Sequence, residues 1–163
     1  MSTVNCELVF KRIYHAPVEL VFDMWTDPMR LCKWYGPDGY SLSTETMDLQ
    51  PGGSWSYTLT GADGKNYRNK VLFLELARPR KLACRYVEDG GPDPIPFGMS
   101  LHLQGERAST LLTMQLVFDS PEDLERLART YQVVEGCQDI LSRLEAQLEG
   151  QPAARVSPTR CHA

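Results

Sequence analysis

Trp34-Tyr35-Gly36-Pro37-Asp38-Gly39 and Pro51-Gly52-Gly53-Ser54-Trp55-Ser56-Tyr57, both within the stretch from Pro17 to Gly64, decide the fold of this chain. In each word, large aromatic side chains stand directly beside backbone breakers. A third reversal, Gly61-Ala62-Asp63-Gly64, follows at once, with Asp-Gly supplying the positive φ of a hairpin connection. Chain reversals are thereby fixed next to apolar bulk, which suits a curved antiparallel sheet closing around something apolar. Ahead of these words, Pro17 suits the first turn of a helix. Val18, Leu20, Val21, Phe22, Met24 and Trp25 make that helix short and very apolar. Residues 29–34 read as a second short helix, stopped by Gly36-Pro37 because the residue before a proline is pushed out of the α region.

Working outward, residues 6–14 are rich in β-formers and read as a first strand. Residues 41–49 and 54–60 follow the helices. The second of these is the clearest, since Trp55, Tyr57 and Leu59 alternate with Ser and Thr at the period of a half-buried strand. Residues 66–76 and 81–88 are joined by a turn at Arg78-Pro79, residues 89–96 form a Gly/Pro loop, and residues 97–104 and 109–118 make a last hairpin. In it Thr110, Leu112, Met114, Leu116 and Phe118 share one side. Residues 122–149 are helical, with Ser120 or Asp119 as cap and Pro121 at the first position. Gly136 is expected to break or bend this segment, leaving a short lead-in and a long helix from about Thr130. Tyr131, Val134, Cys137, Leu141, Leu144 and Leu148 form its apolar stripe. A long one-faced helix must bury its stripe against a sheet, and a sheet of six or so strands twists. The expected architecture is α+β: a curved antiparallel sheet wrapped around a long C-terminal helix, with two short helices after the first strand. Residues 1–149 read as one domain and 150–163 as a disordered tail.

Composition narrows the function classes. The apolar share is 42%, the charged share 23% and the formal net charge −4. These are the values of an ordinary globular protein. Arg78, Arg80 and Lys81 make the one short basic run, interrupted by Pro79, so a nucleic-acid partner is not expected. No apolar stretch reaches the roughly 20 residues that span a bilayer, and the N-terminus lacks the pattern of a secretory signal. The five cysteines are odd in number, far apart and never in a Cys-x-x-Cys pair, which argues against a disulfide framework and a zinc site. A reducing cytoplasm is the simplest reading. No metal or cofactor is implied, and no phosphate loop or dinucleotide fingerprint appears.

The ordered set of words carries a resemblance. Ala16-Pro17-Val18-Glu19-Leu20-Val21-Phe22-Asp23-Met24-Trp25-Thr26-Asp27-Pro28, the Trp34-to-Gly39 word, Pro51-Gly52-Gly53-Ser54-Trp55, Asp63-Gly64, and Phe73-Leu74-Glu75-Leu76 leading to Pro79 and Leu82 follow one another in the right sequence. Over residues 6–149 the chain resembles the activator-of-Hsp90-ATPase-homologue-like group of the START-like (SRPBCC) superfamily. It departs from that pattern at Val71, where the group usually has Gly, and at Arg78-Pro79, where it has Pro-Pro. The resemblance implies the helix-grip fold and a deep cavity between sheet and long helix. Relatives include small-molecule binders, a co-chaperone domain and polyketide cyclase-like enzymes, so a pocket is implied more strongly than a reaction.

Three functions stay open at this point. The first is binding of a small, mostly apolar molecule, aromatic ones included. Trp25, Trp34, Tyr35, Trp55, Tyr57 and Phe73 are candidate lining residues from the first half of the chain. Tyr86, Met99, Leu112, Met114, Tyr131, Val134 and Leu141 are candidates from the second. Trp34 and Tyr35 stand where a lid would lie, and Tyr57 and Tyr86 would bring hydroxyls that orient a ligand. Cys84 and Cys137 are read as small core hydrophobes. The second function is a chaperone-linked interaction module. The third is a cyclase- or hydrolase-like enzyme using Glu75 or His102, of which Glu75 shares a side with Val71 and Phe73 on a strand whose inner side should face the cavity. Catalysis ranks last. An exposed edge strand is also a route to a homodimer.

Overall fold

The computed structural model describes residues 6–36, 39–88, 90, 94–131 and 133–150, with backbone alone at 130 and 131. The tail read at 150–163 lies outside these residues apart from Gly150, as does part of the loop at 89–96.

The described chain folds as β1 (Glu7–Tyr14), α1 (Val18–Thr26), α2 (Pro28–Trp34), β2 (Ser41–Met47), β3 (Ser54–Thr60), β4 (Asn66–Ala77), β5 (Lys81–Glu88), β6 (Phe97–Glu106), β7 (Ser109–Phe118), α3 (Pro121–Tyr131) and α4 (Val133–Glu149). The strands form one seven-stranded antiparallel sheet in the order β1-β7-β6-β5-β4-β3-β2. The fold is α+β of the helix-grip type, and its seven strands fall where the seven strand segments are read in the sequence.

Alternation decides which face is covered. Along β7, Thr110, Leu112, Met114, Leu116 and Phe118 are all buried. Register carries the same face across the sheet: Leu103 opposes Leu112, Leu101 opposes Met114, and Met99 opposes both Leu116 and Cys84. Cys84 in turn opposes Phe73. The Gly61-to-Gly64 turn closes β3 onto β4 with Gly64 at φ 83°. Its neighbour turn depends on a close approach: a Cβ at Gly53 would stand 2.1 Å from the Asp48 carbonyl oxygen. Only a glycine lets that loop tuck against β4, where Phe73 N–H donates to Gly53 O at 2.9 Å.

The helices lie on the buried face. Asp27 ends α1 and begins α2: its N–H donates to Asp23 O, and its Oδ1 accepts from Met29 N–H at 3.0 Å. Pro28 takes the first helical position, where a missing N–H costs nothing. Ser120 caps α3, its Oγ accepting from Asp123 N–H at 3.1 Å. Gly136, where a break or bend is expected from the sequence, lies inside α4. Leu141 and Leu144 are fully buried beneath α4. Tyr14 Oη donates to Leu141 O at 2.9 Å, tying α4 to β1. Arg143 Nη1 donates to Gly36 O at 2.9 Å, tying α4 to the end of α2. Cys6, Cys84 and Cys137 are free thiols. Cys32 is disulfide-bonded, a departure from the reading of the cysteines as unpaired. No helix among the described residues is long and apolar enough to cross a membrane.

Candidate functional site

Two hollows lie on the helix side of the sheet and share one wall. The outer one, about 350 Å³, is bounded by Tyr57 and Leu59 of β3, Tyr67 and Asn69 of β4, Tyr86 of β5, Phe97 of β6 and Leu127 of α3. Tyr40, Glu88, Pro94 and Ile95 complete it. The inner one, about 170 Å³, is held between the sheet residues Met99, Met114 and Leu116 and the α4 residues Val133, Gly136, Cys137 and Ile140, with Trp25 and Tyr35 closing it. Tyr86 and Phe97 border both hollows. Their rings stack at 4.9 Å and 8°, and Phe97 leans in turn on Phe118 at 5.2 Å.

The local sequence explains how the aromatic residues arrive there. Tyr35 ends α2 by donating its N–H to Leu31 O and then turns extended at φ −78°, ψ 140°. That turn throws its ring inward, 5.9 Å from Trp25, 5.5 Å from Trp55 and 6.0 Å from Tyr57, each edge-on. Edge-to-face contacts at such distances suit the ring quadrupole. The Tyr35 hydroxyl meets the Tyr86 hydroxyl in a hydrogen bond that links the α2 layer to β5. Burial pushes both phenols well above their ordinary value; the Tyr86 charge adds to the rise at Tyr35, and the Tyr57 charge adds to the rise at Tyr86, where the hydrogen bond to Tyr35 works the other way. They stay neutral. Burial likewise pushes the Cys84 and Cys137 thiols up to about 12, so neither is a thiolate nucleophile at neutral pH.

The three indoles differ in a telling way. Trp34 Nε1 donates to Met24 O at 3.1 Å, and Trp55 Nε1 donates to Thr44 Oγ1 at 3.0 Å. Trp25, 5% exposed, has a buried Nε1 with no hydrogen-bond partner among the described residues.

The structure therefore sorts the residues proposed from sequence. Trp25, Tyr35, Tyr86, Met99 and Met114 border the inner hollow, and Tyr57 and Tyr86 the outer one. Trp34, Trp55, Phe73, Leu112 and Leu141 are buried but border neither. Trp34 is no lid: it is 1% exposed and packs edge-on against Trp25 at 4.8 Å. Val134 is 36% exposed. The face of α4 turned to the sheet is centred on Cys137 and Leu144, which at 100° per residue leaves Val134 at its rim. The Tyr131 side chain lies outside the described residues. The catalytic reading of Glu75 and His102 is not carried by their placement. Leu74 is an extra residue in the β4–β5 ladder, so Glu75 opposes Ala83 on the outer face and pairs with Lys81 at 3.0 Å. His102 lies between the buried Leu101 and Leu103 and faces out. Arg85, across the sheet from Leu72 on β4, pairs with Asp119 at 2.8 Å.

Tyr67, Asn69 and Phe97 were missed as lining residues. The signal for two of them was present, because Tyr67 and Asn69 continue the period-two series of Val71 and Phe73. Ile95 and Leu127 come from a loop and from α3, and nothing local in the sequence brings them to β3. Among the described residues no group of three or more His, Cys, Asp or Glu side chains is placed to hold a metal ion.

Comparison with known proteins bears on this geometry. A family model described as activator of Hsp90 ATPase homolog 1-like protein matches residues 15–149. No curated protein matches the chain. A crystal structure of a Nitrosomonas europaea protein is similar at 26% identity and a TM-score of 0.79, over 91% of this chain and 97% of that one. A solution structure of an Arthrobacter aurescens protein gives 24% identity and a TM-score of 0.83 over 97% and 94%. One from Staphylococcus epidermidis gives 18% and 0.77 over 98% of both. The last two speak to the fold alone.

Proposed function

Because the chain belongs to the activator of Hsp90 ATPase homolog 1-like family, and through it to the START-like superfamily, we propose that it binds a small, mostly apolar molecule between the sheet and α4, with an aromatic ring as the favoured group. Family and fold support a ligand-binding or Hsp90-activator-like module; the choice between these rests on the site.

The observation that carries the binding reading is the space beside Gly136. A Cβ built on this half-buried glycine meets no heavy atom within 4 Å, and the residue borders the inner hollow. Glycine inside a helix costs about 1 kcal/mol relative to alanine, and here the missing side chain leaves room that no neighbour fills. The walls are aromatic, aliphatic and thioether, the surfaces that bury a drug-sized ligand. Met99 and Met114 let the space adapt to shape.

Filling the space tests the proposal. Gly136→Leu should leave the fold intact, since leucine favours a helix more than glycine does, and should abolish the thermal stabilisation given by small aromatic ligands. Tyr57→Leu, in the outer hollow, should weaken it. If a broad apolar library never raises the melting temperature of the unaltered protein, ligand binding is excluded. The chaperone-interaction reading draws on the family's description, and enrichment of Hsp90 by the purified protein, unaffected by Gly136→Leu, is the outcome that would favour it.

A further inference from the structure

The two edges of the sheet differ. β2 ends it on one side, and its register with β3 is interrupted by a bulge between Thr44 and Thr46, one of the devices that withdraw an edge from pairing. β1 ends it on the other side, and its pairing with β7 runs from Glu7 opposite Val117 to Tyr14 opposite Thr110 without a shift. One bond fixes which way the main chain of β1 points. Phe118 N–H donates to Cys6 O at 2.8 Å, and these two residues stand opposite each other when the register is carried one step on. Along an antiparallel pair, opposed residues alternate between bonded and non-bonded. Cys6, Leu8, Phe10, Arg12 and Tyr14 therefore turn their main-chain N–H and C=O groups to β7, and Glu7, Val9, Lys11 and Ile13 turn theirs to the open edge. Those last four residues are all exposed, Val9 at 52% and Ile13 at 59%.

We propose that β1 pairs antiparallel with β1 of a second copy of this chain, about a two-fold axis at Val9. Such an interface is self-complementary: residue i of one copy meets residue j of the other, and j meets i. Only residues whose main-chain groups face the edge can exchange bonds across it, so Glu7, Val9, Lys11 and Ile13 must oppose one another. With the axis at Val9, the two Val9 side chains meet, and Glu7 of each copy stands opposite Lys11 of the other. On the sheet's other face Leu8 meets Phe10 of the second copy, twice, in non-bonded pairs whose side chains lie closer. Leu8 and Phe10 are half-buried at the rim of the core. Aromatic–aliphatic and opposite-charge pairs across strands both stabilise a sheet. The neighbouring registers lose this match. An axis at Leu8 sets Glu7 against Val9; one at Phe10 sets Lys11 against Val9 and Glu7 against Ile13; one at Lys11 sets the two lysines against each other. A lysine on an edge ordinarily blocks pairing. With Glu7 four positions before it, Lys11 disfavours these registers and favours the one centred on Val9. Within their own sheet Lys11 and Glu7 stand opposite the uncharged Thr113 and Val117, and Glu7 Oε1 accepts from Gln115 Nε2 at 2.9 Å.

The test is sedimentation velocity of the full chain from micromolar to near-millimolar concentration, where monomer should pass to dimer. Lys11→Glu sets like charges against each other at both charged pairs, and Glu7→Lys does the same with the opposite sign. Each should weaken dimerisation about tenfold or more. Mixed together, the two variants bring opposite charges face to face again and should form a heterodimer. The double variant E7K/K11E should dimerise as the unaltered chain does. Amide hydrogen exchange supplies an arm that needs no variant. The Val9 and Lys11 N–H groups should exchange more slowly as concentration rises, while the Phe10 N–H, already turned to β7, should not change. A monomer at every concentration overturns the proposal, including one in which another segment of chain holds the β1 edge. So does a dimer that both single variants leave intact, or one in which the Val9 and Lys11 amides exchange at the same rate at every concentration.

Discussion

Replacing Tyr14 by Phe tests the contact that makes this a helix gripped by a sheet. Tyr14 is 1% exposed, and its hydroxyl donates to Leu141 O at 2.9 Å, a bond spanning 127 positions of sequence. Burial pushes its pKa up, so the group is a neutral donor at any ordinary pH. In the variant, the Leu141 carbonyl is not orphaned, because an interior helix carbonyl also accepts from the N–H four residues on. The loss is therefore that of one neutral hydrogen bond plus a void the size of one oxygen, about 1–1.5 kcal/mol, not the larger penalty of an unsatisfied buried group. For a chain of this size each kcal/mol moves Tm by about 2–4 °C, so a fall of about 2–6 °C is expected. Urea unfolding followed by circular dichroism should show the midpoint falling at constant slope. A loss below about 0.3 kcal/mol means that the strap between β1 and α4 is idle in solution. A loss above about 3 kcal/mol means that the carbonyl has no second donor. Either result refutes the reasoning.

Two further outcomes follow from the packing. Gly53→Ala places a methyl 2.1 Å from the Asp48 carbonyl, so the turn must shift, at a cost of about 2–3 kcal/mol; thermal denaturation within 1 °C of the unaltered protein would show that the loop moves freely. Stability should fall as pH rises above about 9. The Cys84 and Cys137 thiols, ordinarily at 9.0, are held up to about 12, and Tyr14, Tyr35 and Tyr86 lie above their ordinary 10.0. The unfolded chain then releases protons that the folded chain keeps, and the slope of stability against pH is negative there. Urea midpoints that stay level between about pH 8 and pH 10.5 contradict this; Cys137→Ala should flatten the decline in part.

The share of this molecule legible in its sequence is the share governed by local rules. Trp55 and Tyr57 point inward because a strand alternates, and Asp63-Gly64 makes a hairpin because glycine tolerates φ of 83°. Ser120 caps α3 because its side chain reaches the Asp123 N–H. Glu75 shows where such rules fail. Its side of the strand follows from counting by twos from Phe73, and a single extra residue, Leu74, turns it outward. Nothing in the residue types at 73–76 announces a bulge; the β5 partner decides it. Trp34 and Tyr35 show a second limit. They are adjacent and equally apolar, yet the C-terminus of α2 divides them. Trp34 stays helical and sinks against Trp25, while Tyr35 adopts extended backbone and reaches Tyr86.

The candidate site depends on that division. A helix ending one residue later would carry Tyr35 round with Trp34 and leave the Tyr86 hydroxyl without its partner. Gly36-Pro37 therefore does more than end a helix. By stopping α2 after Trp34, it commits one aromatic ring to the core and the next to the hollow. The same economy appears at Pro51-Gly52-Gly53, which docks on β4 through Phe73 immediately before Trp55 and Tyr57 stack at 4.1 Å. Breakers beside aromatics fix ring positions through backbone geometry, which is short-range and readable. Whether a ring's polar atom finds a partner is settled by strands and helices far away in sequence. Trp25, Trp34 and Trp55 are alike as residues, and the fold satisfies two of their three N–H groups. The third, that of Trp25, finds no partner among the described residues.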